Sequence, residues 1–402
     1  MPLRYVCYDC GPRGSDGSGR CDCGEPLWLD TSTDAFDWDD TVDAPGLWRY
    51  EPLLPAPLPN PPSLAAAAGG TPLLRDDALD SFVGASVHLK LEGQQPTGSF
   101  KDRGSALALA AMEAGLVGGD GETTAIGTVS HGNMAMSTAA FAAAFDRPCV
   151  VLVPDDIPPE RLGVIGQFDP TILRVRGDYG RLYERSLELG VEYGIRFVNS
   201  DSPLRVEGQK TTALELCEAF APSTPDGIVL PVSSGGHASG VWKALRELRG
   251  AGAIDALPAL YLVQAAACAP IAEAFAAGAE TVSAVEGGET IAYSIANADP
   301  PSGTRALRAV RDTGGAAIAV DDDAIRSAQR ELATEAGVSV ETAGAVALAG
   351  AKQLVADGVI TDDDDVAVVA TGTGLTEASA DVSAPAVDLA ALDGRLAEFA
   401  GR

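Results

Sequence analysis

One lysine-containing segment of this 402-residue chain, residues 96–104, combines an amine with hydroxyl groups and glycines. The chain has only five lysines, and Lys101 lies between Phe100 and Asp102 at the start of an Ala-rich helical run. Partial burial and the positive end of the helix dipole both disfavour an ammonium there. Both effects favour the neutral amine that forms a Schiff base with a carbonyl cofactor. A solvated Lys-Asp-Arg cluster at a helix N-terminus is the alternative interpretation.

A second loop, residues 130–133, follows a predicted strand and begins a predicted helix. The side chain of Asn133 can donate a hydrogen bond to, and accept one from, an oxygen of a bound ring. The free amides at the start of the helix can bind a carboxylate. A plain Ser/Asn turn with a helix cap is the alternative interpretation.

A third loop, residues 232–240, is rich in glycine and serine and lies between a predicted strand and a predicted helix. Small residues allow consecutive backbone N–H groups to point at one phosphate, and the helix adds its dipole. The loop is neither a Walker loop nor a GxGxxG fingerprint, so a nucleotide is not indicated. A Gly-rich turn without a ligand remains the alternative. Ser233 and Ser234 can add hydroxyl donors.

A fourth loop, residues 371–375, follows the strand predicted at 366–370. A hydroxyl there, such as that of Thr371, could hydrogen-bond a pyridine nitrogen without protonating it. An amine, an oxygen partner, a phosphate-binding turn and a neutral nitrogen partner are together the components of a site for pyridoxal 5'-phosphate (PLP). No Ser-His-Asp order competes with this interpretation, and the histidines are too dispersed in sequence for a catalytic zinc.

Four cysteines near the N-terminus form two close pairs, Cys7 with Cys10 and Cys21 with Cys23. Four thiolates in two pairs suit tetrahedral zinc. The first pair has the spacing of a zinc knuckle, whereas the second is one residue shorter. We predict a structural zinc in a zinc-ribbon-like segment; free or redox-active thiols are the alternative.

Predicted strands and helices alternate along most of the chain, which indicates βαβ units and parallel sheets with helices on both faces. Ligands of such sheets bind at the carboxyl ends of strands. We expect an α/β fold with two doubly wound parallel-sheet domains and an active-site cleft between them. The predicted units are the zinc-ribbon-like segment 1–30, a large PLP-binding domain of 31–103 with 206–402, and a smaller domain of 104–205. The predicted strands are 87–91, 123–128, 149–153, 172–176, 196–199, 227–230, 259–263, 316–320 and 366–370.

The net charge of the chain limits the kinds of partner that it can bind. The chain has 28 basic and 57 acidic residues, which give a net charge of −29. Such a field repels nucleic acid and anionic membranes. Asp-rich loops, and Arg in place of most Lys, indicate adaptation to a salty, halophilic cytoplasm, where screening reduces self-repulsion. No apolar run reaches about 20 residues and no signal-peptide pattern begins the chain, so we expect no membrane span and a cytoplasmic location. There, cysteines are expected as thiols or metal ligands.

Several of these segments together resemble the threonine synthases. These are PLP-dependent enzymes of fold type II, a family that also includes threonine dehydratase and the tryptophan synthase β-subunit. The longest similar stretch, residues 199–211, is the one that resembles threonine synthases in particular. The similarity covers most of the chain, including the N-terminal ribbon and residues 47–50, 70–73, 90–92, 96–104, 130–133 and 371–375.

The resemblance implies a role for each cofactor residue. Lys101 would bind PLP covalently and shuttle protons, and Asn133 would contact the ring oxygen. The phosphate of the cofactor would be held by Ser233, Ser234, Gly235, Gly236 and His237. Thr371 would face its ring nitrogen.

The resemblance also implies a lyase reaction on a small amino-acid substrate. Phosphate is eliminated from the γ-carbon of O-phospho-L-homoserine and water adds at the β-carbon, which gives L-threonine. A guanidinium with amide and hydroxyl donors suits a phosphate leaving group. The residues expected to contact the substrate are Ser130, His131, Asn199, Ser200 and Arg205.

Four positions depart from the pattern of this family, namely His131, Met134, His237 and Thr373. Methionine donates no hydrogen bond. His237 could compensate as a cation near the phosphate of the substrate, since its charge responds to a nearby anion. The departures leave open a related threonine or serine dehydratase or a β-replacement enzyme. A degenerate, non-enzymatic paralogue is a third hypothesis, and a homodimer is a further expectation.

Overall fold

The computed structural model describes residues 3–13, 19–61, 63–117, 125–177, 179–377 and 384–400. Its strands are β1 Tyr5–Cys7, β2 Gly11–Arg13, β3 Trp28–Leu29, β4 Leu73–Arg75, β5 Ser86–Leu91, β6 Ala125–Val129, β7 Cys149–Pro154, β8 Thr171–Val175, β9 Ile195–Phe197, β10 Gly227–Pro231, β11 Ala259–Ala265, β12 Ala316–Val320 and β13 Asp365–Ala370.

The α-helices alternate with these strands over most of the chain. None of the helices in the described ranges is both long and apolar enough to cross a membrane. They are α1 Asp77–Val83, α2 Lys101–Glu113, α3 Asn133–Ala144, α4 Pro159–Gly166, α5 Tyr179–Tyr193, α6 Pro203–Gln209, α7 Thr211–Phe220, α8 Gly236–Gly250, α9 Pro270–Ala276, α10 Gly303–Asp312, α11 Asp322–Thr334, α12 Thr342–Ala356 and α13 Leu392–Ala400.

The largest sheet has six strands in the order β12-β11-β10-β13-β5-β4. Its strands are parallel except that β4 runs antiparallel to β5 at one edge. This sheet is therefore mixed, and the prediction of an all-parallel sheet is wrong at that edge. Strand β4 is joined to β5 by a short connection that contains helix α1. The chain reverses its direction over this connection, so β4 and β5 pair antiparallel.

A second sheet has four parallel strands in the order β8-β7-β6-β9. All four lie within residues 104–205, where the sequence predicts the smaller domain. The strand predicted at 123–128 begins at Ala125, and the two residues before it lie outside the described part of the chain. The α/β class is thus confirmed, whereas the domain boundaries stay a prediction.

The N-terminal segment forms a small antiparallel sheet in the order β2-β1-β3. Cys7 ends β1, and Trp28 in β3 packs into the core of the large sheet with Trp242 of α8. The segment is therefore joined to the main body by buried aromatic side chains.

Helices α2 and α6 pack unusually closely and bring two basic residues together. A Cβ on Gly208 would lie 2.1 Å from the carbonyl oxygen of Arg103, so only glycine permits this approach. Lys101 begins α2 and Arg205 lies in α6, and the close crossing places Arg205 beneath the first turn of α2.

A buried ion-pair network anchors the same helix from the other side. Arg103 is fully buried and donates to Glu92, at 2.7 Å, and to Glu215, at 2.6 Å. Lys90 of β5 lies 2.6 Å from the second oxygen of Glu215. These contacts tie α2 to the end of β5 and to α7, because a buried charge is stable only when it is paired and hydrogen-bonded.

Candidate active site

Lys101 lies at the N-terminus of α2, with its Nζ 4.0 Å from the centroid of the Phe100 ring. Burial lowers the pKa of Lys101 to about 7, and the positive charge of Arg205 acts in the same direction. The negative charge of Glu341 opposes these effects. At neutral pH a large fraction of this side chain therefore carries the neutral amine that Schiff-base chemistry requires.

The segment that precedes Lys101 is hydrogen-bonded to the loop after β13. The N–H of Phe100 donates to the carbonyl of Thr371 at 3.1 Å, and the N–H of Thr373 donates to the carbonyl of Gly98 at 2.8 Å. The predicted nitrogen partner Thr371 is buried and lies at the carboxyl end of a central strand. The first and fourth loops of the sequence thus form one unit.

The predicted phosphate turn begins α8. Gly235 adopts a left-handed conformation, with φ 86°, and a Cβ there would lie 2.5 Å from the carbonyl oxygen of Ser302. A Cβ on Gly236 would lie 2.2 Å from the carbonyl oxygen of Ser200. Because the first N–H groups of a helix have no acceptor within it, the start of this 15-residue helix offers donors for an anion.

An aromatic stack connects the turn to the lysine. The ring of Phe100 stacks on the imidazole of His237, with centroids 4.1 Å apart and an interplanar angle of 12°. The charge of Lys101 also acts on His237. The amine therefore lies beside the serine-glycine turn, although more than a hundred residues separate the two in sequence.

The burial of His237 disfavours the cation that the sequence suggested. Burial lowers the pKa of His237 to about 3, and the charges of Lys101 and Arg103 act in the same direction. Its Nε2 is 3.0 Å from Oγ1 of Thr212. Burial therefore favours the neutral ring, and a compensating positive charge beside a bound phosphate stays a prediction.

Glu341 belongs to the site, although the sequence analysis missed it. It directly precedes α12, and its Oε2 accepts a hydrogen bond from Nδ2 of Asn133 at 2.8 Å. Its N–H donates to the carbonyl of Gly372 at 3.1 Å. Burial raises the pKa of Glu341 to about 7, against the hydrogen bond from Asn133 and the charge of Lys101. In sequence this residue resembles an ordinary acidic residue before a helix.

Residues 130–133 form a turn in which Oγ of Ser130 accepts from the N–H of Gly132 at 3.3 Å. The carbonyl of His131 accepts from Nη1 of Arg161 at 3.4 Å, and the guanidinium of Arg161 lies 3.9 Å from the ring centroid of Tyr293. Arg161 is a second residue that the sequence analysis missed. It places a cation beside the two predicted substrate contacts of this loop.

The predicted substrate-binding residues Arg205 and Asn199 form hydrogen bonds with other groups of the protein. Arg205 is fully buried and donates to the carbonyls of Val198 and Lys101 and to two hydroxyls, all uncharged acceptors. Asn199 is bonded to the N–H of Val129 and to Ser186. The carbonyl of Ser200 packs against the phosphate turn. Their role as substrate ligands stays a prediction, although the charge of Arg205 is not neutralised by a hydrogen-bonded carboxylate.

These residues fit PLP. The site combines a largely buried amine of lowered pKa with a helix N-terminus whose Ser233 and Ser234 add hydroxyls. Two buried polar atoms at its edge, Oγ of Ser99 and Nδ1 of His237, have no hydrogen-bond partner within the described residues. Unpartnered buried polar groups are costly and indicate a missing ligand or water.

The four N-terminal cysteines lie together in space. Their sulfur atoms are all within 4.8 Å of one another, and Sγ of Cys7 is 3.8 Å from that of Cys23. This spacing suits four ligands of one tetrahedral metal ion. The shorter spacing of the second pair is therefore compatible with a common centre. The residues concerned are Cys7, Cys10, Cys21 and Cys23.

Comparison with known proteins agrees with this geometry. The sequence profile of the family described as "Pyridoxal-phosphate dependent enzyme" matches residues 64–372. A threonine synthase of Methanocaldococcus jannaschii is 34% identical over 379 residues, which are 90% of each chain. A threonine synthase of Mycobacterium bovis is 35% identical over 312 residues, which are 77% of this chain and 82% of the relative.

Solved structures share the fold. The structure of maize serine racemase has a TM-score of 0.63 and 23% sequence identity, and the similarity covers 82% of this chain and 92% of the racemase. At that identity the likeness concerns the fold alone. The sequence relatives and the family profile also identify the family of the chain. The chain belongs to the family of pyridoxal-phosphate dependent enzymes, within the group whose curated members are named threonine synthase.

Proposed function

We propose that this protein converts O-phospho-L-homoserine and water into L-threonine and phosphate. The observation that carries the proposal is the placement of Lys101, a neutralised amine between the loop after β13 and the start of α8. The choice of substrate is supported by the threonine synthases that are similar over most of the chain.

When bound, PLP supplies an electron sink that stabilises a carbanion next to the amino-acid nitrogen. Ser233, Ser234 and the backbone of 235–237 would hold its phosphate, and Asn133 its ring oxygen. Thr371 would face its ring nitrogen with a hydroxyl, which leaves that nitrogen uncharged.

The residues around Lys101 set its proton affinity. The charge of Arg205 lowers the pKa of the amine and the charge of Glu341 raises it, so that Lys101 Nζ can both accept and return a proton near neutral pH. The carboxyl of Glu341 is partly protonated over the same pH range, since burial raises its pKa to about 7. It also orients the amide of Asn133. Arg205 and Arg161 provide positive charge for a phosphate leaving group.

The test is an assay of the purified protein in molar salt with O-phospho-L-homoserine, L-threonine and L-serine as separate substrates. We expect phosphate and threonine in equal amounts from the first substrate and no 2-oxo acid from the other two. A 2-oxo acid from threonine or serine, without phosphate release from the first substrate, would instead identify a dehydratase.

We further infer that a structural zinc ion is bound by Cys7, Cys10, Cys21 and Cys23. The clustering of the four sulfur atoms supports this inference, because Zn²⁺ with four thiolates forms closed tetrahedral sites. We expect about one zinc per chain in elemental analysis of the purified protein. Protein purified with zinc available that contains none would contradict the inference.

The surroundings of the enzyme follow from its charge and its thiols. A net charge of −29 supports adaptation to high salt, and a thiolate cluster suits a reducing cytoplasm. We infer a cytoplasmic enzyme that acts on a small amino acid and does not bind nucleic acid. A homodimer remains a prediction.

A further inference from the structure

The second pair of cysteines belongs to a short segment that is connected to the phosphate turn of the active site through Asp201 and Arg305. We call this segment, residues 19–26, the cysteine knuckle. Its turn is closed by hydrogen bonds from the N–H of Cys21 to the carbonyl of Glu25 and from the N–H of Gly24 to the carbonyl of Cys21, both 2.8 Å. The N–H of Leu27 donates to the carbonyl of Gly19.

The first contact runs through Arg20. Its guanidinium donates to the carbonyl of Gly24, at 2.8 Å, and to Oδ2 of Asp201, at 2.7 Å. Asp201 is buried and follows Ser200, whose carbonyl oxygen packs against Gly236 at the start of α8. One ion pair and one tight backbone contact therefore connect the knuckle to the turn assigned to the cofactor phosphate. A displacement of the knuckle would displace this turn as well.

The second contact runs through Arg305, a fully buried residue of α10. Its Nη1 donates to the carbonyl of Pro26 at 3.1 Å, and its Nη2 donates to Oγ of Ser302 at 2.9 Å. The N–H of Ser302 in turn donates to the carbonyl of Ser234 at 2.9 Å. The last residue of the knuckle is thus linked to the serine of the phosphate turn by three successive hydrogen bonds.

A third contact follows the knuckle directly. Nε1 of Trp28 donates to Oγ of Ser239 in the first turn of α8, at 2.8 Å. All three contacts therefore end on residues 234–239 or on the backbone packed against them. Asp201 and Arg305 are buried charged residues, and each loses a hydrogen-bond partner when the knuckle moves. Such a loss is costly in the protein interior, so a segment that only covered the edge of the domain would not require these contacts.

We propose that the metal ion held by the four cysteines is a structural part of the cofactor site. Binding of a zinc-class ion fixes the knuckle, and the knuckle holds Asp201, Ser302 and Ser239 so that the phosphate turn keeps its shape. Loss of the metal then weakens the binding of PLP, although no cysteine touches the cofactor. This inference rests on the metal centre proposed above, and it does not depend on the amino-acid substrate.

The experiment compares zinc content with PLP affinity in the holoenzyme and two variants. Cys23→Ser removes a metal ligand, and Arg20→Ala leaves all four cysteines in place but breaks the contact with Asp201. Elemental analysis gives the zinc content, and equilibrium dialysis against PLP gives the dissociation constant. Arg4→Ala is the matched control, since Arg4 lies in the same N-terminal segment and its exposed side chain forms an ion pair with Asp30, at 3.8 Å.

We expect Arg20→Ala to retain its zinc and to bind PLP about 5–150-fold more weakly, the usual range of coupling between two sites. Cys23→Ser should lose zinc and weaken PLP binding at least as much, whereas Arg4→Ala should behave as the wild type. Because coupling of binding free energies is reciprocal, removal of PLP from the wild type should also weaken zinc binding by the same factor, measured by equilibrium competition with a chelator.

Two results would overturn the proposal. One is a Cys23→Ser protein that has lost its zinc and still binds PLP with wild-type affinity. The other is an Arg20→Ala protein with unchanged PLP affinity, in which removal of PLP weakens zinc binding as much as in the wild type. A wild-type protein that never contains metal would remove the premise as well. Because threonine formation is not among the measurements, a wrong substrate assignment would not produce any of these results.

Discussion

Replacing Lys101 with alanine should lower the rate of phosphate and threonine release by roughly 10⁴-fold, the upper end of what a single positioned proton-transfer group contributes. The variant loses the only amine at the junction of the lysine segment, the loop after β13 and the phosphate turn in the part of the chain that the structure describes. Covalent attachment of PLP should be lost as well, which is measured from the visible absorbance of the purified protein.

Two controls test whether the effect is due to the amine of Lys101. One keeps the positive charge without the amine, and the other removes a different lysine. Lys101→Arg should be as inactive as the alanine variant, because a guanidinium stays protonated and cannot supply a neutral nitrogen. Lys352→Ala removes an exposed lysine and should leave both absorbance and rate unchanged. A Lys101→Ala protein that keeps the absorbance of the covalently bound cofactor would show that another residue is attached to PLP.

Replacing Arg103 with alanine should lower the free energy of unfolding by about 3–5 kcal/mol, the usual cost of removing one partner of a buried ion pair. The substitution leaves Glu92 and Glu215 buried and facing each other without the cation that lies between them. The measurement is the midpoint of urea unfolding at constant salt, followed by tryptophan fluorescence. Arg185→Ala, which removes an exposed pair with Glu188, should unfold at the wild-type midpoint.

The contribution of this network should also depend on pH. Arg103 lowers the pKa of Glu92 to about 2, below its ordinary value, although burial alone would raise it. A carboxylate whose pKa is lowered on folding stabilises the protein above its unfolded pKa and loses that contribution as the pH falls through the folded value. The difference between wild type and Arg103→Ala should therefore shrink on acidification toward pH 2, and a constant difference would contradict the assignment.

The sequence predicts most of the fold because its strands are short, apolar and separated by regular helices. The strand predicted at 316–320 coincides with β12, and that at 227–230 lies within β10. The antiparallel edge strand β4 was not predicted, since three residues carry too little periodicity to indicate their partner or direction.

The candidate site could be predicted only in part. Lys101 and residues 233–237 follow from local composition, and the structure places them side by side. Glu341 and Arg161 could not be recognised, because an isolated carboxylate or guanidinium has no local pattern and reaches the site only through packing between distant elements. The lowered pKa of His237 could not be predicted for a related reason, because it depends on burial.

The order of strands in the large sheet has a consequence for synthesis on the ribosome. Strand β13, near the end of the chain, lies between β10 and β5 and pairs with both. Until β13 leaves the ribosome, strand β5 has an unpaired edge. Strands β10, β11 and β12 cannot join β5, because β13 lies between them. Chains that stop before residue 365 are therefore expected to be substrates for proteases and chaperones, whereas the four-stranded sheet can be completed while translation continues.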